Sequence, residues 1–224
     1  MSESVGYPVP FLDFMGSFAI FLDTFGTSGI KWATLVKSAG SGELPDTYFL
    51  KDAGGAGPGH FKIYWCQYSR DAVYTETLAD EAHIMFTPKM DGCTFAVGIP
   101  ALDGTVTVGH ANVYNWTNDE MESLEEEMFL PETSQTRQIE LMQIRLQLVR
   151  ARQLEMLTNE FGLGSSPVTI KKQLNTTNAE YTGSKGGIIT FGVLDTTVKP
   201  NKWRFYFQTK NGMNKVTGVH KIKK

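Results

Sequence analysis

The stretch that decides the fold, DGCTFAVGIPALDGTVTVGH, runs from residue 91 to residue 110. It starts with an apolar run at Cys93, typical of a buried strand, and ends with an alternating segment that closes on His110. Between them stands Asp103-Gly104, a hairpin signal, because glycine adopts the positive φ that tight turns need. The sequence therefore predicts an antiparallel pair of strands, with Cys93 and His110 facing each other at its open end.

Further strands are predicted on both sides of this hairpin. Upstream, apolar or alternating segments predict strands at residues 30–36, 60–65, 72–75 and 82–86. Downstream, similar segments fall at residues 168–174, 187–193, 202–208 and 215–220, with Asn211-Gly212 as a turn between the last two. The glycine-rich segment at residues 52–59 lacks the Gly-Lys-Ser/Thr ending of a phosphate-binding loop, so we interpret it as a turn.

Two helices are predicted in the middle of the chain. Thr117 or Asn118 caps a short acidic helix at residues 119–125. Thr133 or Ser134 caps a long helix that ends near Phe161, where Gly162 stops it. The apolar face of this long helix is predicted to consist of Ile139, Met142, Leu146, Val149 and Leu157. The order of strands, helices and strands predicts an α+β fold with a mixed β-sheet or β-sandwich core flanked by helices, as one domain over residues 1–224.

Composition narrows the class of protein. The chain has 224 residues, a formal charge of −3 and 41% hydrophobic residues, which is typical of a globular protein and gives no reason to expect direct nucleic-acid binding. We expect a monomer, although composition does not decide the oligomeric state. Its two cysteines, Cys66 and Cys93, form no CxxC pair, so no metal is predicted and both thiols are expected to stay reduced. The apolar residues 11–22 are too short to span a membrane and lack the basic flank of a signal peptide, so we expect buried core and no cleaved leader.

Cys93 and His110 have the chemistry of a nucleophile and its base. A cysteine nucleophile needs a base to form thiolate, and the base needs a third group to orient its ring. Thr87 is the candidate for that third group, and the backbone around Gly92 is the candidate for binding the oxyanion of an attacked carbonyl. A cysteine in an apolar strand is, however, more often a small core residue, and we expect this role for Cys66.

The residues around Cys93 also resemble a known family. The spacing from Thr87 to Cys93, the Gly92 before the cysteine and the later His110 resemble the Burkholderia lethal factor-like glutamine deamidase toxins, relatives of the cytotoxic necrotizing factor catalytic domain. Residues 62–65 and 186–190 add to the likeness. Two features depart from the pattern: Asp91 replaces a serine before the glycine, and the separation of Cys93 from His110 is longer.

The resemblance implies a bacterial toxin that converts a glutamine of a host protein to glutamate and inhibits translation, with Cys93, His110 and Thr87 as the catalytic residues and no cofactor. It implies synthesis in the bacterial cytoplasm and action in the host cytosol. The first candidate substrate is a DEAD-box helicase of translation initiation, and the second is a Rho-family GTPase. Transglutaminase activity, another Cys–His hydrolase such as a peptidase, and a non-catalytic β-rich binding module remain alternatives.

Overall fold

The structure is a computed structural model that describes residues 9–38, 47–113, 115–162, 172–175, 187–211, 213 and 215–222. These residues form three helices, α1 (Val9–Ser17), α2 (Asp119–Phe129) and α3 (Gln135–Gly162). They also form twelve strands, β1 (Ala19–Leu22), β2 (Gly29–Lys37), β3 (Thr47–Asp52), β4 (Phe61–Trp65), β5 (Val73–Leu78), β6 (Ile84–Phe86), β7 (Thr94–Val97), β8 (Val106–Ala111), β9 (Lys172–Asn175), β10 (Ile189–Asp195), β11 (Lys202–Lys210) and β12 (Val216–Lys221).

The strands form two sheets. The larger sheet has the order β1-β3-β2-β4-β6-β10-β11-β12, and the smaller has the order β5-β8-β7-β9. Neighbouring strands are antiparallel, except that β1 pairs with β3 and β4 with β6 in parallel. The α+β class and the mixed sheet predicted from the sequence are confirmed.

The N-terminal segment covers the face of the larger sheet that points away from the smaller sheet. Phe11 and Met15 of α1 and Ile20 of β1 are buried against apolar side chains of this sheet, so the expected burial of residues 11–22 is confirmed for these positions. Gln208 of β11 holds the segment in place, since its amide donates to the carbonyls of Met15 and Phe18. Helix α1 and strands β1 and β3 were not among the sequence predictions.

The two sheets pack face to face around an apolar core. This core joins Met85, Phe205 and Phe207 of the larger sheet to Phe95 and Val108 of the smaller one. Burial of such side chains contributes about 1.5–3 kcal/mol each to the stability of the fold. The inner face of the smaller sheet thus carries the odd-numbered residues of β7 and the even-numbered residues of β8.

Helix α3 covers the outer face of the smaller sheet. Ala96 and Ala111 contact Leu157 and Phe161 of the helix. A Cβ atom at Gly109 would lie 2.6 Å from the Leu157 Cδ2 atom, so glycine at this position lets the helix approach the sheet closely.

The buried face of α3 differs from the predicted one. Ile139 and Met142 are 53% and 54% exposed, so the prediction for these two residues is wrong. Leu141, which lies between them in sequence, is fully buried, so in the first turns of α3 the buried side of the helix is not the predicted one. The buried side chains recur at intervals of four and eight residues, as Leu141, Val149, Gln153, Leu157 and Phe161.

The helix starts follow the sequence. Asn118 caps α2, since its Oδ1 accepts from the Met121 amide at 2.8 Å, and Ser134 Oγ accepts from the Arg137 amide ahead of α3. No helix in the described part of the chain is long and apolar enough to cross a membrane.

Some predicted segments lie partly or wholly outside the described residues. The predicted strand at residues 168–174 overlaps the described strand β9 only from residue 172, and Gly212 of the predicted turn and Gly186 are not described. The glycine-rich residues 53–60 form the irregular connection between β3 and β4, as expected.

Candidate active site

The β7–β8 hairpin places Cys93 and His110 on the same face of the smaller sheet. In the observed register Phe95 pairs with His110 and Thr94 with Ala111. Continuing this register by one residue sets Cys93 opposite Asn112, whose amide donates to the Ala72 carbonyl at 3.1 Å and so extends the sheet. The two predicted residues are therefore diagonal neighbours rather than directly opposite partners. Diagonal Cβ atoms lie about 7–8 Å apart or somewhat less.

Thr87 reaches His110 from the other sheet. It follows β6, where its amide bonds the Thr190 carbonyl at 3.3 Å. The chain beyond it is held by paired backbone bonds between Met90 and Ile188. This path brings Thr87 Oγ1 to 2.5 Å from His110 Nδ1, in a hydrogen bond that is fully buried. The sequence suggested that Thr87 orients His110, and the structure brings these two side chains together.

Gly92 shapes the backbone before the cysteine. Its φ is +87°, a left-handed conformation that favours glycine over residues with a Cβ atom. Gln153 of α3 then clamps the segment on both sides of Cys93: its Nε2 donates to the Gly92 carbonyl at 2.8 Å, and its Oε1 accepts from the Thr94 hydroxyl at 2.6 Å. Sequence reasoning missed Gln153. The available signal was a glutamine four residues from Val149 and from Leu157 on an otherwise apolar stripe.

Asn112 is the second residue that sequence reasoning missed. Its Nδ2 donates to the Cys93 sulfur at 3.2 Å, while its Oδ1 is buried and has no hydrogen-bond partner among the described residues. His110 Nε2 is likewise buried without such a partner, so it does not bond the Cys93 thiol. Leaving a buried polar group without a partner costs about 1–3 kcal/mol, and native proteins keep few such groups.

The site is closed. A nucleophilic cysteine at the open end of the hairpin is expected to be partly exposed. This expectation is wrong, because Cys93 is 2% exposed and His110 is 1% exposed. The burial arises because the two sheets pack over the inner face of the hairpin, and because Tyr68 from the loop after β4 lies beside His110, with ring centroids 5.3 Å apart and ring planes tilted by 39°. Tyr68 is itself 38% exposed, so it separates the site from solvent.

Burial also decides the ionisation of the pair. It lowers the pKa of His110 from 6.5 to about 3, and it raises the pKa of the Cys93 thiol above its usual value of 9.0. The Asn112 hydrogen bond and a backbone hydrogen bond from Asp91 lower that thiol pKa, whereas the Asp91 carboxylate raises it. The closed site thus holds a neutral thiol and a neutral imidazole.

The other candidate residues have structural surroundings. Neither cysteine is in a disulfide, as expected. Cys66 is fully buried, its thiol donates to the Tyr74 carbonyl at 3.5 Å, and burial raises its pKa. Among the described side chains, no group of three or more His, Cys, Asp or Glu residues is arranged to hold a metal ion.

Comparison with known proteins found neither a matching family model nor a matching curated protein. The case for a function therefore depends on the residues of this site and their geometry.

Proposed function

We propose that the chain is a protein-glutamine deamidase of the bacterial toxin type, in which Cys93 is the nucleophile and His110 the base. The observation that carries the proposal is the arrangement of His110. Thr87 engages its Nδ1 at 2.5 Å. Its Nε2 has no hydrogen-bond partner in the described part of the chain, and His110 shares a sheet face with Cys93. A base oriented by a third group beside a nucleophile is the pattern of nucleophilic catalysis.

The reaction follows from these roles. With its Nδ1 hydrogen donated to Thr87 Oγ1, His110 accepts the thiol proton at Nε2, and the Cys93 thiolate attacks the carboxamide carbon of glutamine. The tetrahedral adduct collapses as the imidazolium donates its proton to the nitrogen and ammonia leaves, which gives a thioester. Water then adds, His110 accepts its proton, the sulfur leaves, and the side chain becomes the carboxylate of glutamate. The backbone amides near Gly92 are the proposed donors to the oxyanion.

Activation requires the site to open. Desolvation is the main cause of both pKa shifts, so it disfavours the thiolate–imidazolium pair in the closed state. Movement of Tyr68 and entry of a polar carboxamide would place partners around both groups and bring the two pKa values closer together. We propose that binding of the target protein drives this opening.

The target is proposed from the sequence resemblance. A DEAD-box helicase of translation initiation is the first candidate, with inhibition of translation as the result, and a Rho-family GTPase is the second. We propose that the protein is made in the bacterial cytoplasm, works in the host cytosol as a monomer without a cofactor, and does not act through nucleic acid or membrane binding.

Burial supports a second candidate function, a non-catalytic binding module in which Cys93 fills the core. The 2% exposure of Cys93 and its place in the cluster between the sheets are those of a packing residue. A buried thiol reacts slowly with small alkylating reagents at neutral pH, whereas a nucleophile that the target exposes reacts faster in the target's presence.

The test uses matched serine variants. Each purified candidate target is incubated with wild type, Cys93→Ser or Cys66→Ser, and its peptides are mapped by mass spectrometry. We expect one glutamine to become glutamate with wild type and Cys66→Ser but not with Cys93→Ser. New chain termini would point to a peptidase, and incorporated amine to a transglutaminase. If no host protein changes and Cys93 alkylates slowly with target present, the binding module replaces the deamidase.

A further inference from the structure

We infer that Asn112 selects the primary carboxamide of the substrate, an inference that rests on the proposed deamidase function. Its Nδ2 already holds the Cys93 sulfur at 3.2 Å. Its Oδ1 is buried and, among the described residues, has no hydrogen-bond partner. Oδ1 is the acceptor for an N–H of the glutamine side chain.

The strand geometry supports this position. The Asn112 amide bonds the Ala72 carbonyl and so continues the pairing of β5 with β8 beyond Ala111. Asn112 and His110 therefore share one face of the strand, about 6–7 Å apart along it. The unpartnered Oδ1 and Nε2 atoms belong to these two neighbours, and both residues are more than nine-tenths buried.

The hydrogen-bond inventory matches a carboxamide. A primary amide offers one acceptor and two N–H donors. When Asn112 Oδ1 accepts one N–H, the nitrogen is held on the side of His110, which supplies the proton that releases it as ammonia. The product carboxylate has no N–H, and its oxygens repel Oδ1, so the same contact favours release of product.

A purely structural Asn112 would need only its donor. A residue that merely holds the Cys93 sulfur requires one N–H group, and the buried acceptor would then be a defect of the site. A substrate amide that bonds the acceptor removes this defect. Sites built to bond a substrate N–H discriminate strongly against analogues that lack it, because the buried acceptor is then left unsatisfied.

The first experiment compares two substrates, and every protein in it, including the one with native Asn112, also carries Tyr68→Ala so that short peptides can reach the closed site. One substrate is a short peptide with a single glutamine, and the other is the same peptide with glutamate γ-methyl ester in place of glutamine. Both form the same thioester on Cys93, but only the side-chain amide carries an N–H. We expect Asn112→Ala to lower kcat/KM for the amide about tenfold more than for the ester. Asn112→Asp keeps an acceptor and loses the donor, so both rates should fall while the amide-to-ester ratio stays near that of the protein with native Asn112. Equal losses for both substrates in Asn112→Ala would overturn the inference.

The second experiment does not depend on turnover. The rate of Cys93 alkylation is measured with iodoacetamide and with its N,N-dimethyl analogue. Each rate is divided by the rate at which the same reagent alkylates glutathione. We expect the ratio of the iodoacetamide rate to the N,N-dimethyl rate to fall about tenfold from wild type to Asn112→Ala. An unchanged ratio would overturn carboxamide recognition even in an active enzyme.

The two experiments separate the two proposals. If the protein with native Asn112 hydrolyses neither peptide and wild type deamidates no target, the deamidase proposal fails, and the alkylation ratio still decides whether Asn112 recognises a carboxamide. If Asn112→Ala does not fold, as judged by circular dichroism, Asn112→Ser takes its place and the same fall in ratio is expected, because serine's short side chain does not reproduce the amide oxygen's position.

Discussion

Buried His110 should make this protein less stable as the pH falls, in addition to the effect of its carboxylates. Burial lowers the pKa of His110 from 6.5 to about 3, so the folded protein keeps the imidazole neutral where the unfolded chain protonates it. Between about pH 3 and 6.5 the unfolded state therefore binds more protons than the folded state. The stability that neutral His110 contributes is complete above pH 6.5 and is lost as the pH falls from there toward 3.

The size of the effect follows from the two pKa values. Each pH unit between them is worth about 1.4 kcal/mol. Between pH 7 and pH 5, His110 should lower the free energy of unfolding by about 2 kcal/mol. This figure changes little as long as the pKa of His110 in the folded protein stays below about 4. The neighbouring groups Cys93 and Tyr68 do not contribute, because their pKa values are raised and both stay protonated in this range.

The assay is urea unfolding at pH 7 and pH 5 for wild type, His110→Gln and His83→Gln. Carboxylates contribute to the pH dependence of all three proteins, so the difference between variants isolates the imidazole. His110→Gln should lose about 2 kcal/mol less than wild type on acidification. His83 is exposed, and His83→Gln should behave as wild type. Equal losses in wild type and His110→Gln would refute the claim that the folded protein keeps His110 neutral.

Three further predictions concern the neighbours of the site. Tyr68→Ala should raise the alkylation rate of Cys93 several-fold, measured by mass spectrometry, because the ring closes the site; an unchanged rate would show that other groups exclude the reagent. Gln153→Leu leaves two polar groups, including the Gly92 carbonyl, without this partner, so urea unfolding should show a loss of about 2–4 kcal/mol, and wild-type stability would contradict the clamp. Thr87→Val should abolish deamidation while Thr87→Ser retains it, in the peptide-mapping assay; equal activities would remove Thr87 from the site.

The local parts of the site could be read from the sequence. Asp103-Gly104 and the alternating residues after it specify a hairpin, and a hairpin register specifies which side chains share a face. Cys93 and His110 were therefore predicted at one end of one strand pair. Asn112 lies two residues beyond His110 on the same strand face, so the same periodicity could have identified it.

The contacts between distant segments could not be read in this way. Thr87 meets His110 because β6 and β8 belong to different sheets that pack face to face. Gln153 reaches Gly92 across 61 residues of chain. The apolar pattern of α3 predicted a helix, but its phase alone did not show that Ile139 and Met142 stay exposed while Leu141 is buried.

The sequence by itself determined the α+β class, most of the strands, the two helices in the middle of the chain and the identity of the candidate nucleophile and base. Only the tertiary structure decided that the pair is buried, that Tyr68 closes it, and that Asn112 and His110 each keep a buried atom without a partner among the described residues. Periodicity is a property of one segment and states which face a side chain occupies. Burial and the pKa shifts that follow from it depend on what another segment places over that face, and no local pattern contains that information.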